Sequence, residues 1–388
     1  MRTHCRPGHR RSLTGLLAGA LVLGGAALAG EPPALEPDRL LPFFSPPPAL
    51  KDDLGDYHPV LKRDDGRPVR TAEDWAKRRR EILAAWHERL GPWPPPVAKP
   101  EIETFEKDRV ETFTRHRARV TIAPDRTASA YLLVPDGPGP FPAVLDVFYY
   151  PEDGAGLKPE KRLQNDFGYQ LAKRGFVALC VGLQPGKEGS PIYYPGWENA
   201  QLQPLSYLAY VSSTCHAALA RVTGVDPKRI GIVGHSYGGK WALFAGALSD
   251  AFAAVCVSDP GIVFDEARSN VNYWEPWYLG YEAGRAPRKA GIPSPENPRT
   301  GPYKRLVEEG RDLHELIALI APRPFFVAGG SEDPPERWRA LNHAVAVNRI
   351  LGVDGRVGMS SRPDHKISPE ANGQICLFFE RFLKPASK

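Results

Sequence analysis

Ser236 sits in Gly234-His235-Ser236-Tyr237-Gly238-Gly239, directly after the apolar run Ile230-Gly231-Ile232-Val233. Glycines two positions either side of a serine let a strand turn sharply into a helix without a Cβ striking either element. Such a turn lifts Oγ above the edge of a sheet and leaves the Tyr237 N–H at a helix N-terminus, where it can donate to an oxyanion. The chemistry this suits is attack of a serine hydroxyl on a carbonyl carbon. A hydroxyl is too weak a nucleophile alone, so a base and an orienting acid must follow it in the chain.

His365, in Ser361-Arg362-Pro363-Asp364-His365-Lys366, follows the last apolar run, which ends at Met359, and precedes a C-terminal helix. That is where a base belongs in the order serine, acid, histidine. His314 and His343 fall within predicted helices, and His235, beside the serine, is expected to point elsewhere. For the acid, Asp333 in Gly329-Gly330-Ser331-Glu332-Asp333-Pro334 stands first, Asp259 in Ser258-Asp259-Pro260-Gly261 is the alternative, and Glu332 is third. A carboxylate at any of these positions could hold the imidazole tautomer if it reaches. The second oxyanion donor is expected from the turn after Ala143–Phe148, from the N–H of Tyr149 or Tyr150, with the Tyr150 ring lining the pocket. Lys240 lies one helical turn beyond Ser236, on the same face, where it meets substrate or pairs as a helix lysine.

The elements that must position these residues alternate. Apolar runs at Ala143–Phe148, Phe176–Val181, Ile230–Val233, Phe252–Val257, Pro324–Ala328 and Arg356–Met359 alternate with helical periodicity near Leu163–Arg174, Leu205–Val222, Lys240–Leu248, Asp312–Ile320, Pro335–Leu351 and Pro369–Leu383. The pattern predicts an α/β fold with a mostly parallel, doubly wound sheet and helices on both faces. Val110–Ile122 and Ser129–Val134 read as antiparallel strands ahead of it. Thr71 reads as the N-cap of a helix carrying Trp75, Ile82, Leu83, Trp86 and Leu90 at helical spacing and stopping at Gly91-Pro92.

Residues 30–70 form a proline-rich arm with little structure of its own, and 71–388 the main domain. Between Ser258 and Asp312 lie about fifty residues, far more than a connection needs. This segment, about 260–311, is expected to form a cap, and Trp274 and Trp277, in Tyr273-Trp274-Glu275-Pro276-Trp277-Tyr278, are its candidate substrate contacts.

Residues 1–29 read as a secretory signal peptide: Arg2, Arg6, Arg10 and Arg11, then an apolar small-residue stretch, then Ala27-Leu28-Ala29. Secretion or a periplasmic location follows, with no later membrane span. The whole chain carries +5; less those four arginines the remainder carries +1, which gives no electrostatic support for a nucleic-acid partner. Cys180, Cys215, Cys256 and Cys376 fall in predicted strands and helices, which suits buried free thiols, and their spacing suits no metal knuckle. No metal or organic cofactor is implied, and the oligomeric state is open.

From Thr71 onward the chain resembles secreted α/β-hydrolases of the carbohydrate esterase kind, acetyl xylan and glucuronoyl esterases among them. It also resembles the catalytic domain of prolyl oligopeptidase (S9) family hydrolases and dienelactone hydrolases. The shared pieces are the Trp75–Leu90 helix ahead of Gly91-Pro92-Trp93-Pro94, Asp226-Pro227-Lys228-Arg229-Ile230 leading into Gly234–Lys240, Ala321-Pro322-Arg323-Pro324, and Pro363-Asp364-His365. The resemblance implies a serine ester hydrolase acting on a carbohydrate-linked ester through an acyl-enzyme. A prolyl oligopeptidase-like peptidase is the alternative, and an inactive glycan-binding fold a third reading. Glucuronoyl esterases carry an arginine after the nucleophile, where this chain has Tyr237, and a lysine matched here by Lys240. Prolyl oligopeptidases carry a propeller domain for which the N-terminal part is too short.

Overall fold

In the computed structural model the described residues are 37–157, 164–184, 192–268 and 278–384. Nine strands form one sheet: β1 (Ile102–Val110), β2 (Phe113–Ala123), β3 (Arg126–Pro135), β4 (Phe141–Phe148), β5 (Val177–Gly182), β6 (Val225–His235), β7 (Ala254–Ser258), β8 (Phe325–Gly329) and β9 (Val357–Ser361), in the order β1-β2-β3-β5-β4-β6-β7-β8-β9. The pairings from β1 to β5 are antiparallel, and all those from β5 through β4 to β9 are parallel. The helices are α1 (Ala72–Leu90), α2 (Pro151–Gly154), α3 (Phe167–Ala172), α4 (Pro204–Leu219), α5 (Tyr237–Leu248), α6 (Gly301–Glu308), α7 (His314–Ile320), α8 (Trp338–Ile350) and α9 (Pro369–Leu383).

The central strands are largely apolar, with the buried Asp146 of β4 an exception, because both faces are covered. Leu145, Val147, Ile232, Val255, Val257 and Val327 pack into one core with residues of α1, α4, α5, α7 and α8. Their neighbours Val144, Val233, Cys256, Phe326 and Ala328 pack into the opposite one with α3 and α9. Successive side chains of a strand face opposite ways, so a helix layer on each face demands an unbroken apolar run rather than alternation. Each such side chain contributes about 1.5–3 kcal/mol when fully buried. All four described cysteines are buried and unpaired within these layers.

Helix α1 begins where Thr71 Oγ1 accepts the Asp74 N–H, a cap worth about 1 kcal/mol. It ends at Gly91, whose φ of +87° and close approach to Gln201 O leave no room for a Cβ.

Two expectations need correction. The strand expected over Val110–Ile122 is β2, which starts at Phe113 and is the second arm of a hairpin whose first arm, β1, lies ahead of the expected bounds, with Val110 paired to Phe113 and Glu111 at φ +48°. Strand β1 is exposed along nearly its whole length, so no apolar periodicity announces it. It is held instead by cross-strand ion pairs, Asp108–Arg115 (2.6 Å), Glu106–Arg117 (3.4 Å) and Glu103–Arg119 (3.6 Å).

The arm also has more structure than its prolines suggest. Pro37–Phe44 forms a 3-10 turn. Leu40 is fully buried, and the Phe44 ring stacks on Phe326 at 5.9 Å and lies over Gly358 of β9. Farther along, the arm's carbonyls are caught by buried side chains of α7 and α8: His314 meets His58 O (2.8 Å), His343 meets Leu54 O (3.0 Å) and Asn342 donates to Leu50 O and Asp53 O. The expected signal peptide, 1–29, lies outside the described residues.

Candidate active site

The parallel strands deliver their C-terminal ends to one edge of the sheet, and Ser236, Asp259 and His365 follow three of them. Ser236 follows β6 with φ +52° and ψ −114°, a conformation a non-glycine residue keeps only when its surroundings hold it. They do. A Cβ on Gly234 would sit 2.3 Å from the Gly238 backbone, and one on Gly238 would sit 1.9 Å from Val147 O. Only glycine at both positions lets the turn close and the start of α5 press on the end of β4.

His365 Nε2 lies 2.9 Å from Ser236 Oγ, and its Nδ1 lies 2.7 Å from Asp259 Oδ2. A carboxylate oxygen accepts, so Nδ1 carries the proton and Nε2 is left to accept from the serine hydroxyl. The other Asp259 oxygen, Oδ1, accepts three backbone N–H groups, from Gly330 (2.7 Å), Glu332 (3.1 Å) and Asp333 (2.8 Å). These donors fix the plane of the carboxylate while Oδ2 addresses the imidazole.

The acid against the imidazole is thus Asp259, and the first place given to Asp333 is corrected. Asp333 is fully buried and turned to the loop after β7, accepting the N–H groups of Gly261 (2.8 Å) and Ile262 (2.6 Å). Each carboxylate caps the backbone of the other's loop, and only Asp259 also reaches His365. Burial, with Asp259 nearby, pushes Asp333 up to about 6. Glu332 is engaged by Arg268 at 2.8 Å.

The Tyr237 N–H stands at the first position of α5, where no intrahelical acceptor exists. Tyr149, in the turn after β4, stacks its ring on Tyr237 at 4.5 Å and 16°, so that turn lies beside the serine. Tyr150 is the N-cap of α2 and is 43% exposed. Lys240 is buried, and Nζ donates to Pro260 O, in the turn after Asp259. Burial pushes it down to about 7 against the pull of Asp333, Glu332 and Asp259. His235, expected to point elsewhere, packs its ring on His365 at 4.7 Å.

Trp274 and Trp277 lie outside the described residues. Next to them, Tyr278 is buried and stacks on Tyr237 at 5.6 Å. The following residues are tied to the loop ahead of α4: Gln203 donates to Tyr281 O and accepts the Tyr281 N–H, both at 3.0 Å, while the Tyr281 hydroxyl donates to Trp197 O. Sequence reasoning missed Gln203, Tyr281 and Trp197, which lie far from the serine in sequence and belong to no local pattern. It also missed Arg362, which donates to Ala328 O (2.7 Å), Lys366 O (2.9 Å) and His365 O (2.9 Å) and so holds the histidine loop. Among the described residues no group of side chains could hold a metal ion, and no helix is long and apolar enough to cross a membrane.

Among solved structures the chain is similar to a glucuronoyl esterase from Solibacter usitatus, with a TM-score of 0.67 and 18% identity over 86% of this chain and 100% of that one. It is also similar to a CE15 glucuronoyl esterase from Teredinibacter turnerae T7901, with a TM-score of 0.63 and 18% identity over 84% and 89%. A putative acetyl xylan esterase from Bacteroides fragilis NCTC 9343 aligns at 0.51 and 17% over 79% of each chain. The fold is that of the α/β-hydrolases. By sequence, the chain is 30% identical over 176 residues to carbohydrate esterase MZ0003 from an unknown prokaryotic organism, a match covering 42% of this chain and 35% of that protein. The chain thus spans about a third of that relative's length. No family model matches.

Within the α/β-hydrolase fold, the acid here follows β7, one strand earlier than the loop after β8. The position after the serine is filled by a buried tyrosine whose hydroxyl donates to Leu183 O at 2.8 Å.

Proposed function

We propose that the protein is a secreted serine hydrolase that cleaves a carboxylic ester on a carbohydrate, of the kind plant polysaccharides carry. The observation that carries this is the imidazole of His365 held between Ser236 Oγ and Asp259 Oδ2 at 2.9 and 2.7 Å. Ser236 Oγ attacks the ester carbonyl carbon as its proton passes to Nε2 of His365, and Asp259 stabilises the imidazolium. The oxyanion is met by the N–H of Tyr237 and a donor from the Tyr149 turn. His365 returns the proton to the departing sugar oxygen. Water then attacks the acyl-enzyme with the same base, releasing the acid and restoring the serine hydroxyl.

The carbohydrate part of the reading draws support from the relatives, named as carbohydrate, glucuronoyl and acetyl xylan esterases. Tyr237 stands where glucuronoyl esterases carry the arginine that assists at the oxyanion, which weighs against a glucuronoyl ester as the substrate. Export rests on residues 1–29 and is tested by N-terminal sequencing of protein recovered outside the cytoplasm, with Gly30 expected first.

The activity is tested by offering the mature protein acetylated xylan, a methyl glucuronate ester and a prolyl peptide beside its Ser236→Ala variant. Acetate or methanol release that vanishes with the serine supports the proposal. Peptide cleavage without ester hydrolysis overturns it in favour of a prolyl oligopeptidase-like peptidase. Failure to react with a fluorophosphonate leaves only a glycan-binding fold.

A further inference from the structure

Each residue of the triad has a polar neighbour in sequence that turns beneath it. His235 precedes Ser236, Ser258 precedes Asp259, and Arg362 lies three positions before His365. These neighbours meet one another. His235 Nδ1 is 3.0 Å from Ser258 O and 3.2 Å from Ser258 Oγ, and Arg362 Nη2 is 3.3 Å from the same Oγ and 2.9 Å from His365 O. The Ser236 N–H also donates to Ser258 O, at 2.8 Å. The contacts therefore join the end of β6, the end of β7 and the loop after β9, the three segments that carry the triad.

We propose that His235, Ser258 and Arg362 are positioning residues: they fix the imidazole of His365 between Ser236 and Asp259 and set the ring face it meets when it takes the serine proton. The inference rests on the reading of the site as a serine ester hydrolase.

A carbonyl oxygen only accepts, so the contact with Ser258 O puts a proton on His235 Nδ1. Burial, with His365, Arg362 and Lys240 around it, holds His235 well below the ordinary histidine range. The imidazolium that forms on His365 thus lies against an uncharged ring, with centroids 4.7 Å apart and planes tilted by 37°. A charged side chain at 235 would set a second cation against it. On its other side His365 faces Asp259. Arg362 faces Asp259, Asp333 and Asp364, and its guanidinium spends its donors on four backbone carbonyls and the Ser258 hydroxyl. It is thus both a strut for the histidine loop and a positive charge near the His365–Asp259 pair.

The test is hydrolysis of p-nitrophenyl acetate, with rates expressed per active site titrated by a fluorophosphonate, for His235→Phe, His235→Asn, Arg362→Met and Arg362→Lys. His235→Phe keeps a ring but loses the N–H to Ser258, so kcat falls about ten- to a hundredfold with KM little changed. His235→Asn, whose amide N–H can take the place of Nδ1–H, recovers most of that loss. Arg362→Met removes a cation near the imidazole, which favours its charged form, so the acid limb of the kcat/KM profile moves to higher pH; Arg362→Lys leaves that limb in place while lowering kcat.

Wild-type kcat per titrated site in all four variants, with superimposable pH profiles, overturns the inference. A wild-type protein that neither hydrolyses esters nor takes the probe overturns the hydrolase reading instead. Histidine 15N spectra decide the geometry without turnover: an Nδ1–H tautomer at His235 supports the layer, and an Nε2–H or doubly protonated ring there overturns it.

Discussion

The ends of β6 to β9, which position Ser236, Asp259 and His365, and the segment 278–308, whose Tyr278 stacks on Tyr237, are held in different ways. At the strand ends the backbone itself is over-determined. Ser236 and Asp259 both stand at positive φ, two glycines are pressed against backbone atoms, and one carboxylate oxygen takes three N–H groups. The segment 278–308 is moored by side chains: Gln203 on Tyr281, Tyr278 on Tyr237, and Glu266 on Arg299 and the Tyr303 hydroxyl (3.0 Å). Backbone restraint keeps reacting atoms within the tolerance that chemistry demands. Side-chain moorings can be exchanged one at a time. Ser236, Asp259 and His365 are thus held by the sheet's backbone, and the segment 278–308 by exchangeable side-chain contacts.

The largest expected effect breaks the reacting side outright. Ser236→Ala lowers kcat on an activated ester by a factor on the order of a million, read against wild type with the fold checked by circular dichroism. Next, the two carboxylates separate. Asp259→Asn lowers kcat by a factor on the order of ten thousand through loss of the correct imidazole tautomer. Asp333→Asn, which disturbs only the loop that Asp259 leads into, costs about ten- to a hundredfold; equal losses would show that both acids address His365. Gly238→Ala forces a Cβ onto Val147 O, so it lowers both the melting temperature and the titratable fraction of active sites.

On the moored side, Gln203→Ala raises KM for a polysaccharide ester a few-fold while kcat on p-nitrophenyl acetate holds, since only contacts to the segment 278–308 are lost. A fall in that kcat would show that this segment also positions the reacting atoms.

A last effect, on stability rather than on rate, lies within the sheet, away from both regions. Burial pushes Asp146, in β4, up to about 8, with a contribution from Asp166 and Asp153 and against the Gly168 N–H that it accepts. Unfolded, this carboxyl loses its proton near the ordinary aspartate value of 3.8; folded, it keeps the proton to about 8. The unfolded chain therefore binds fewer protons across that window, and stability falls as pH rises through it. Asp146→Asn removes this slope, so its melting temperature gains on wild type from pH 5 to pH 8. A constant difference across that range would mean that Asp146 is ionised in the folded protein.

Much of this was legible in the sequence because the relevant signals are local. Apolar runs marked the six parallel strands, and the glycines around Ser236 and the loop bearing His365 announced themselves by position. Asp333 was preferred to Asp259 because sequence gives the loop a residue occupies and not the direction in which its side chain turns. That direction is set by six backbone N–H and imidazole contacts, all between residues more than seventy apart. Strand β1 was invisible because its partners are charges rather than core, and Gln203 because its partner is the backbone of Tyr281, distant in sequence.

Strand β1 is also where the sheet stops. Its outer rim would offer unpaired N–H and C=O groups to any other extended chain, and at Phe105 it exposes half of an aromatic ring, with Arg119 lying over it at 5.1 Å. The charges that hold β1 to β2 also deny that rim to a stranger: a second copy docking there would have to strip water from Glu103, Glu106, Asp108 and their arginines. Such protection is colloidal rather than structural, and it fades as salt shortens the reach of charge to about 3 Å at 1 M. In strong brine this edge therefore loses much of its protection against a second copy.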